Sequence, residues 1–419
     1  AVMNIHIERW QAGEWRQLAI VTASSDRSFV VVYDSEHAMA NTGAIDARAL
    51  SASVPVTMRP VTFERWPAFL RDLIPQGESR KRLARLLGVP DGPESDWTLL
   101  AHGGGNPVGQ LRVREAADWL SSSARYGRGW ALDDIVQREE SFLDALEAMG
   151  PTPGGGSQGE WPKVMLTEGH DGLWHLDHEL ADADAKRHWI VKLPRRSEPV
   201  FDVILRAEAA YHQVACEWGM AVGETRYQEG ALLIERFDRK SLGNGGVHRI
   251  AQESLYAAAG CLGIEAELNH RQACLKLKAI ATAPEETILA YVWRDLLNLA
   301  LGNRDNHGRN TAVQRLDDGL IQLAPLFDFA PMMMHPDGIS RRMTWGQENG
   351  SRPDWRRVAE QLDEAQILPQ ARLLDRIPEW QDKLLSLPEL LRRHDCPELV
   401  MGRIVKPYED CMQTLTEAR

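Results

Sequence analysis

LGNRDNHGRN, residues 301–310, sets a carboxylate, an imidazole and several side-chain amides on one short segment that directly follows an apolar run. That run, PEETILAYVWRDLLNLAL (284–301), is predicted to be a helix. Ile288, Val292, Leu296 and Leu299 recur at three-to-four spacing and make its buried stripe. Thr282 is expected to cap it, with Glu285 completing a capping box and Pro284 in the first turn. Gly302 supplies the left-handed residue that ends a helix. The polar segment is then a loop leaving a buried helix, which is a firm base for catalytic groups. Taken alone, it also reads as an Asn/Asp-rich turn or as the metal site of a hydrolase.

Three other pieces of the chain decide between these readings. A glycine-rich stretch, Gly154-Gly155-Gly156-Ser157-Gln158-Gly159, precedes three strand-like runs, WPKVMLT, GLWHLDHE and RHWIVKLP, and Lys192 closes the last of them. A helix follows over 201–219, with Ile204, Ala207, Tyr211, Val214 and Trp218 on one face, and then two further strands, ETRYQ and ALLIERF. Past the opening loop, Asp328 stands in LAPLFDFAP, eighteen residues beyond Asn310. Singly each piece has a plain alternative: a linker for the glycines, a surface lysine for Lys192, a hydrogen-bonded turn residue for Asp328. In this order they match what phosphoryl transfer needs. Backbone N–H groups of a glycine loop approach phosphates without a Cβ in the way. A lysine on the neighbouring strand anchors the α and β phosphates. Asn310 and Asp328 offer the oxygen ligands magnesium prefers, and Asp305 is left to orient or deprotonate the attacking hydroxyl. His307 is expected to hold Asp305 in place rather than bind metal, since imidazole suits magnesium poorly.

The remaining chain supplies bounds. With 419 residues, two or three subdomains are expected, here 1–120, a sheet lobe over 121–237 and a helical lobe over 238–419. A net charge of −12 disfavours a general binder of nucleic acid or anionic membrane. The basic run Arg80, Lys81, Arg82 and Arg85 reads as a solvated helix face, with Leu83, Leu86 and Leu87 turned inward. Five cysteines without a CxxC pair fit a reducing cytoplasm better than a disulfide scaffold. His170, His175 and His178 straddle a predicted hairpin turn at spacings that match no usual zinc pattern. No signal peptide or membrane span is evident, Met3 is the expected natural start, and a cytoplasmic location is the resulting expectation.

GNRDNHGRN followed by LAPLFDFAP resembles the catalytic loop and metal segment of the HipA family, the kinase toxins of bacterial type II toxin–antitoxin modules, in a divergent form. IVKLP is similar to the family's nucleotide-lysine strand, LIERFDR (233–239) to the segment joining its lobes, and HRIAQESLYAAAG (248–260) to the next helix start. LSASVPV (50–56), LIPQGESRKRLARLLGV and HGGGNPVGQLRV resemble its N-terminal subdomain. The resemblance implies an α+β, two-lobed protein-kinase-like fold with a sheet-containing N-terminal lobe and a mainly helical C-terminal lobe. It implies a serine/threonine protein kinase using ATP and Mg2+, with Asp305 catalytic, Lys192, Glu235, Phe237, Gly156, Ser157 and Gly159 on ATP, and Asn310 and Asp328 on the metal. Glu208 is a candidate partner for Lys192 by position. The family's substrates include aminoacyl-tRNA synthetases, and its usual partner is a small helix-turn-helix antitoxin through which operator DNA is reached indirectly; no membrane is involved. Ser157 is a candidate autophosphorylation site, although GGGSQGEWPK runs about one residue short between Ser157 and Lys163. The competing readings are a non-catalytic corepressor scaffold, a kinase of small molecules or lipids, and a metal-dependent nuclease.

Overall fold

The computed structural model describes residues 3–24, 28–123, 126–148, 163–194, 197–263, 268–346 and 348–419. The glycine loop, with Gly156, Ser157 and Gly159, lies outside them. The chain divides into two compact units, each assembled from separate stretches. The first comprises 1–194, 228–262 and 314–320; the second comprises 195–227, 263–313 and 321–419.

Two sheets build the first unit. In one, β1 (Met3–Gln11), β2 (Glu14–Ala23), β3 (Phe29–Tyr33), β4 (Val61–Phe63) and β5 (Leu111–Val113) lie in the order β4-β3-β2-β1-β5. All neighbours are antiparallel. The β1–β2 hairpin closes through Ala12 and Gly13, both at positive φ (50° and 84°), the primed-turn geometry that matches strand twist. Alternate residues Ile5 and Ile7 of β1 and Val31 of β3 are buried with Leu70, Leu83 and Leu100 from the helices Ala68–Leu73, Gly77–Leu87 and Asp96–Gly103. Of the leucines expected to turn inward on Gly77–Leu87, Leu83 is fully buried, but Leu86 is 47% exposed. The helix is short and only one narrow stripe of it meets the core. Of its basic run, Arg80 is structural, pairing with Asp91 and Asp96, both at 2.7 Å, while Lys81 and Arg85 are exposed.

The second sheet holds the three predicted strands after the glycine loop. β6 (Lys163–Gly169), β7 (Trp174–Leu176) and β8 (Ala185–Lys192) pair antiparallel, and after β9 (Thr225–Gln228) the chain returns in β10 (Ala231–Glu235) against β8. Leu166, Trp174, Trp189, Val191 and Leu233 fill its core with Trp130 and Phe142. A small pair, β11 (Arg239–Ser241) and β12 (Val247–Arg249), and β13 (Ala251–Ser254) complete the strands up to residue 254.

The second unit is mainly helical, as expected from the sequence: Pro199–Glu217, His270–Ile280, Pro284–Ala300, Trp355–Glu364, Gln370–Leu374, Ile377–Arg393 and Glu398–Glu417. The chain leaves it along β14 (Ala312–Arg315) and returns on β15 (Ile321–Leu323). The expected capping box at 282–285 does not form. Ala283 is the cap residue, and Thr282 Oγ1 instead accepts from Ile321 N at 2.8 Å while Thr282 N donates to Ile321 O. Tertiary strand pairing takes the hydroxyl that the local pattern assigned to the helix. No helix among the described residues is long and apolar enough to cross a membrane.

Candidate active site

Helix Pro284–Ala300 ends at Leu301, and Gly302 reverses the chain at φ +69°. Tyr211 fixes this end from the helix Pro199–Glu217, its hydroxyl donating to Leu301 O at 3.0 Å. The next residue, Asn303, organises the loop. Its Nδ2 donates to Asn298 Oδ1 at 2.6 Å and to Asp328 O at 3.4 Å, and its Oδ1 accepts from Asp305 N at 3.3 Å. One buried amide therefore touches the backbone of both aspartates singled out from the sequence.

Asp305, His307 and Asn310 are all buried, at 7, 4 and 5% exposure. Asn310 Nδ2 donates to Asp305 O at 2.9 Å and to Asp305 Oδ2 at 3.3 Å, so the five-residue spacing folds back into a closed loop. His307 Nδ1 accepts from Arg309 N at 3.2 Å. In the neutral ring that leaves the proton on Nε2, which lies 3.4 Å from Asp305 Oδ1. His307 thus lies beside the aspartate. Asp328 has φ +50°, a left-handed conformation uncommon for a residue with a Cβ and frequent at functional sites.

The residues fit a magnesium ion. Asn310 Oδ1 is buried and has no hydrogen-bond partner among the described residues, while its Nδ2 is spent on Asp305; the amide is oriented with its oxygen free. Oxygen donors of an amide and a carboxylate suit a hard cation, and magnesium completes its shell with water and phosphate, so two protein ligands suffice. Among the described residues, no group of three or more His, Cys, Asp or Glu could hold a metal, His170, His175 and His178 included. His175 instead bonds Asp171 across the hairpin turn at 2.9 Å.

A second support was not foreseen from the sequence. Asp295, on Pro284–Ala300 and 2% exposed, accepts from Asn306 Nδ2 at 2.9 Å, from Trp345 Nε1 at 2.8 Å and from Arg341 Nη2 at 3.0 Å. His270 Nε2 lies 3.2 Å away. One carboxylate thereby ties the loop residue next to Asp305 to the 341–345 segment. Burial alone would raise its pKa; Arg341 and His270 outweigh that and hold it well below the usual carboxylate range.

The described nucleotide residues expected from the sequence, Lys192, Glu235 and Phe237, belong to the first unit. Lys192 closes β8 in the first unit, 6% exposed and opposite Leu232 of β10. Glu235 ends β10 opposite Trp189, and both it and Phe237 are partly buried. Glu208, the candidate partner of Lys192, is buried on Pro199–Glu217 in the second unit. Between Glu235 and β11 lies a buried ionic cluster that sequence reasoning missed. Arg236 pairs with Asp238 at 2.8 Å and Asp177 at 3.2 Å, and Asp238 also accepts from Gly109 N at 2.9 Å. Burial would lower the Arg236 pKa and raise that of Asp238, but each group outweighs that effect at its partner, keeping both charged.

Models of known families match this sequence twice: the HipA N-terminal domain over residues 5–114 and the HipA-like C-terminal domain over 155–386. A curated relative, Y4mE of Sinorhizobium fredii, provisionally described as a kinase, is 28% identical over 307 residues, covering 69% of each protein. HipA of Shewanella oneidensis, solved with HipB and its operator DNA, superposes over 99% of both chains with a TM-score of 0.72 at 17% identity, which is a likeness of fold. With the C-terminal model spanning more than half of the chain and the N-terminal model most of the rest, the protein belongs to the HipA family.

Proposed function

We propose that this protein is an ATP- and Mg2+-dependent serine/threonine protein kinase of the HipA toxin type, acting on a cytoplasmic protein of the translation machinery such as an aminoacyl-tRNA synthetase. The observation that carries the reading is the closed Asp305–Asn310 loop with an unsatisfied Asn310 Oδ1, tied through Asn303 to Asp328. Bound magnesium would neutralise charge on the transferred phosphoryl group. Asn310 and Asp328 would hold it. Asp305 would accept the proton of the substrate hydroxyl, with His307 packed beside it, Nε2 3.4 Å from Oδ1. Lys192, Glu235 and Phe237 would bind the nucleotide, joined by Gly156, Ser157 and Gly159. The family's toxin role extends the proposal to a small helix-turn-helix antitoxin, in line with the HipB present in the Shewanella complex.

The test is incubation of the purified chain with labelled ATP, Mg2+ and a cell lysate. A labelled protein band is expected. Asp305→Asn and Lys192→Ala should each reduce labelling by about 10²-fold or more, with circular dichroism unchanged. If Asp305→Asn slows growth of an expressing cell as strongly as the parent chain, the kinase reading fails and the corepressor-scaffold reading replaces it.

A further inference from the structure

The first unit carries a cleft of about 610 Å³ that the proposed reaction does not use. Its size is that of a small-molecule site, which typically runs from about 300 to 1,000 Å³. Its wall includes Arg9, Arg48 and Arg249, with His37 and His248, and among the described residues the one carboxylate of the lining is Asp317.

Two of the guanidinium groups are presented by a fixed scaffold. Asp46 takes Nε and Nη2 of Arg48 at 2.8 and 2.6 Å, leaving Nη1 with only a long contact of 3.4 Å to Asn41 Oδ1. Asp182 takes both terminal nitrogens of Arg249 at 2.8 and 3.0 Å, while its guanidinium stacks 4.0 Å from the Trp10 ring centre. Asp46 and Asp182 are not part of the cleft wall; they anchor the arginines from outside it. Arg9 is the least compensated. It is 6% exposed, its Nη2 reaches Asp317 at 3.3 Å, and its Nε has no hydrogen-bond partner among the described residues. Asp317 is 58% exposed, so water screens the charge it offers. Burial, with Arg315 and Arg48 nearby, lowers the Arg9 pKa in spite of Asp317 and Asp46. Asp46 and Asp182 offset the charges of Arg48 and Arg249, so what the cleft presents is a set of preorganised guanidinium N–H donors beside the weakly compensated Arg9. Planar, preorganised guanidinium groups recognise phosphate better than any other side chain.

We propose that the cleft formed by Arg9, Arg48 and Arg249 binds a small ligand through its phosphoryl group. This inference is independent of the kinase reading, since none of its residues is placed in that machinery. The test is calorimetric titration of the full chain with inorganic pyrophosphate, without nucleotide or divalent metal. Saturable binding is expected, unchanged in Lys192→Ala and weakened about tenfold or more in Arg48→Gln. Arg48 has a half-exposed side chain, so that variant should keep the fold, and circular dichroism checks it. Arg9→Gln, if folded, should weaken binding further. Absence of saturable heat overturns the proposal. So does binding that Lys192→Ala abolishes and Arg48→Gln leaves intact, because the anion then sits elsewhere.

Discussion

At Gly302 a methyl group has no room. A Cβ there would meet Met333 Sδ at 2.2 Å and Cγ at 2.8 Å, and φ is +69°. Gly302→Ala combines a steric cost with a left-handed backbone cost of about 1–2 kcal/mol. Compared by urea unfolding in the parent and Met333→Ala backgrounds, the substitution should cost less in the second, because only the backbone part remains. Equal costs in both would show that Met333 is not the obstacle. The helix terminator was legible at this residue, since a glycine after an apolar helix has few other uses. Asp305 and Asn310 were legible for a similar reason: their spacing is local. Asn303 was not, because its importance lies in reaching Asp328 O, twenty-five positions away in sequence.

Among the elements, helix Pro284–Ala300 shows where local reasoning succeeds and where it stops. Its apolar stripe follows from periodicity, and Ile288, Val292 and Leu296 are fully buried. Its N-terminal cap did not follow, since Thr282 was claimed by β15. Nor did Asp295, a carboxylate on the buried face whose partners come from three other segments. Because its folded pKa is depressed, Asp295 contributes stability that is fully present above the unfolded value near 3.8 and lost as pH falls below it. Asp295→Asn should therefore flatten the acid limb of the stability profile. Below about pH 4, the slope of unfolding free energy should drop by up to about 1.4 kcal/mol per pH unit. At pH 7 the variant should be less stable by about 2 kcal/mol, since Arg341 keeps Glu348 at 2.8 Å but loses one of its two buried carboxylate partners. Denaturant titrations from pH 3 to 7 read both effects, and an unchanged acid limb would remove Asp295 as an acid-sensitive tie.

For the whole molecule, strand and helix content was legible from alternation and periodicity, but the way distant stretches combine was not. The first unit draws on 1–194, 228–262 and 314–320, and its buried charges join those stretches. Arg315, 1% exposed, donates to Ala49 O at 2.9 Å and Leu50 O at 3.3 Å and pairs with Glu253 at 2.9 Å. Glu253 in turn accepts from Ala52 N at 2.8 Å. Arg239 donates to Gly109 O at 2.6 Å and Pro107 O at 3.1 Å. The segment matched as the N-terminal domain, 5–114, thus packs on buried charges of Asp238, Arg239, Glu253 and Arg315 within the first unit. Removing it would take from Arg315, Glu253 and Asp238 their backbone partners at Ala49, Leu50, Ala52 and Gly109, and each hydrogen bond to a charged group is worth about 1.5–3 kcal/mol. Typical domains hold only about 5–15 kcal/mol in all. A fragment spanning 115–419 should accordingly fail to give a cooperative thermal transition, even though it retains Lys192, Asp305, Asn310 and Asp328. Supplying residues 1–114 as a separate chain should restore the transition, and a fragment that melts cooperatively alone would show that these buried contacts do not hold the first unit together.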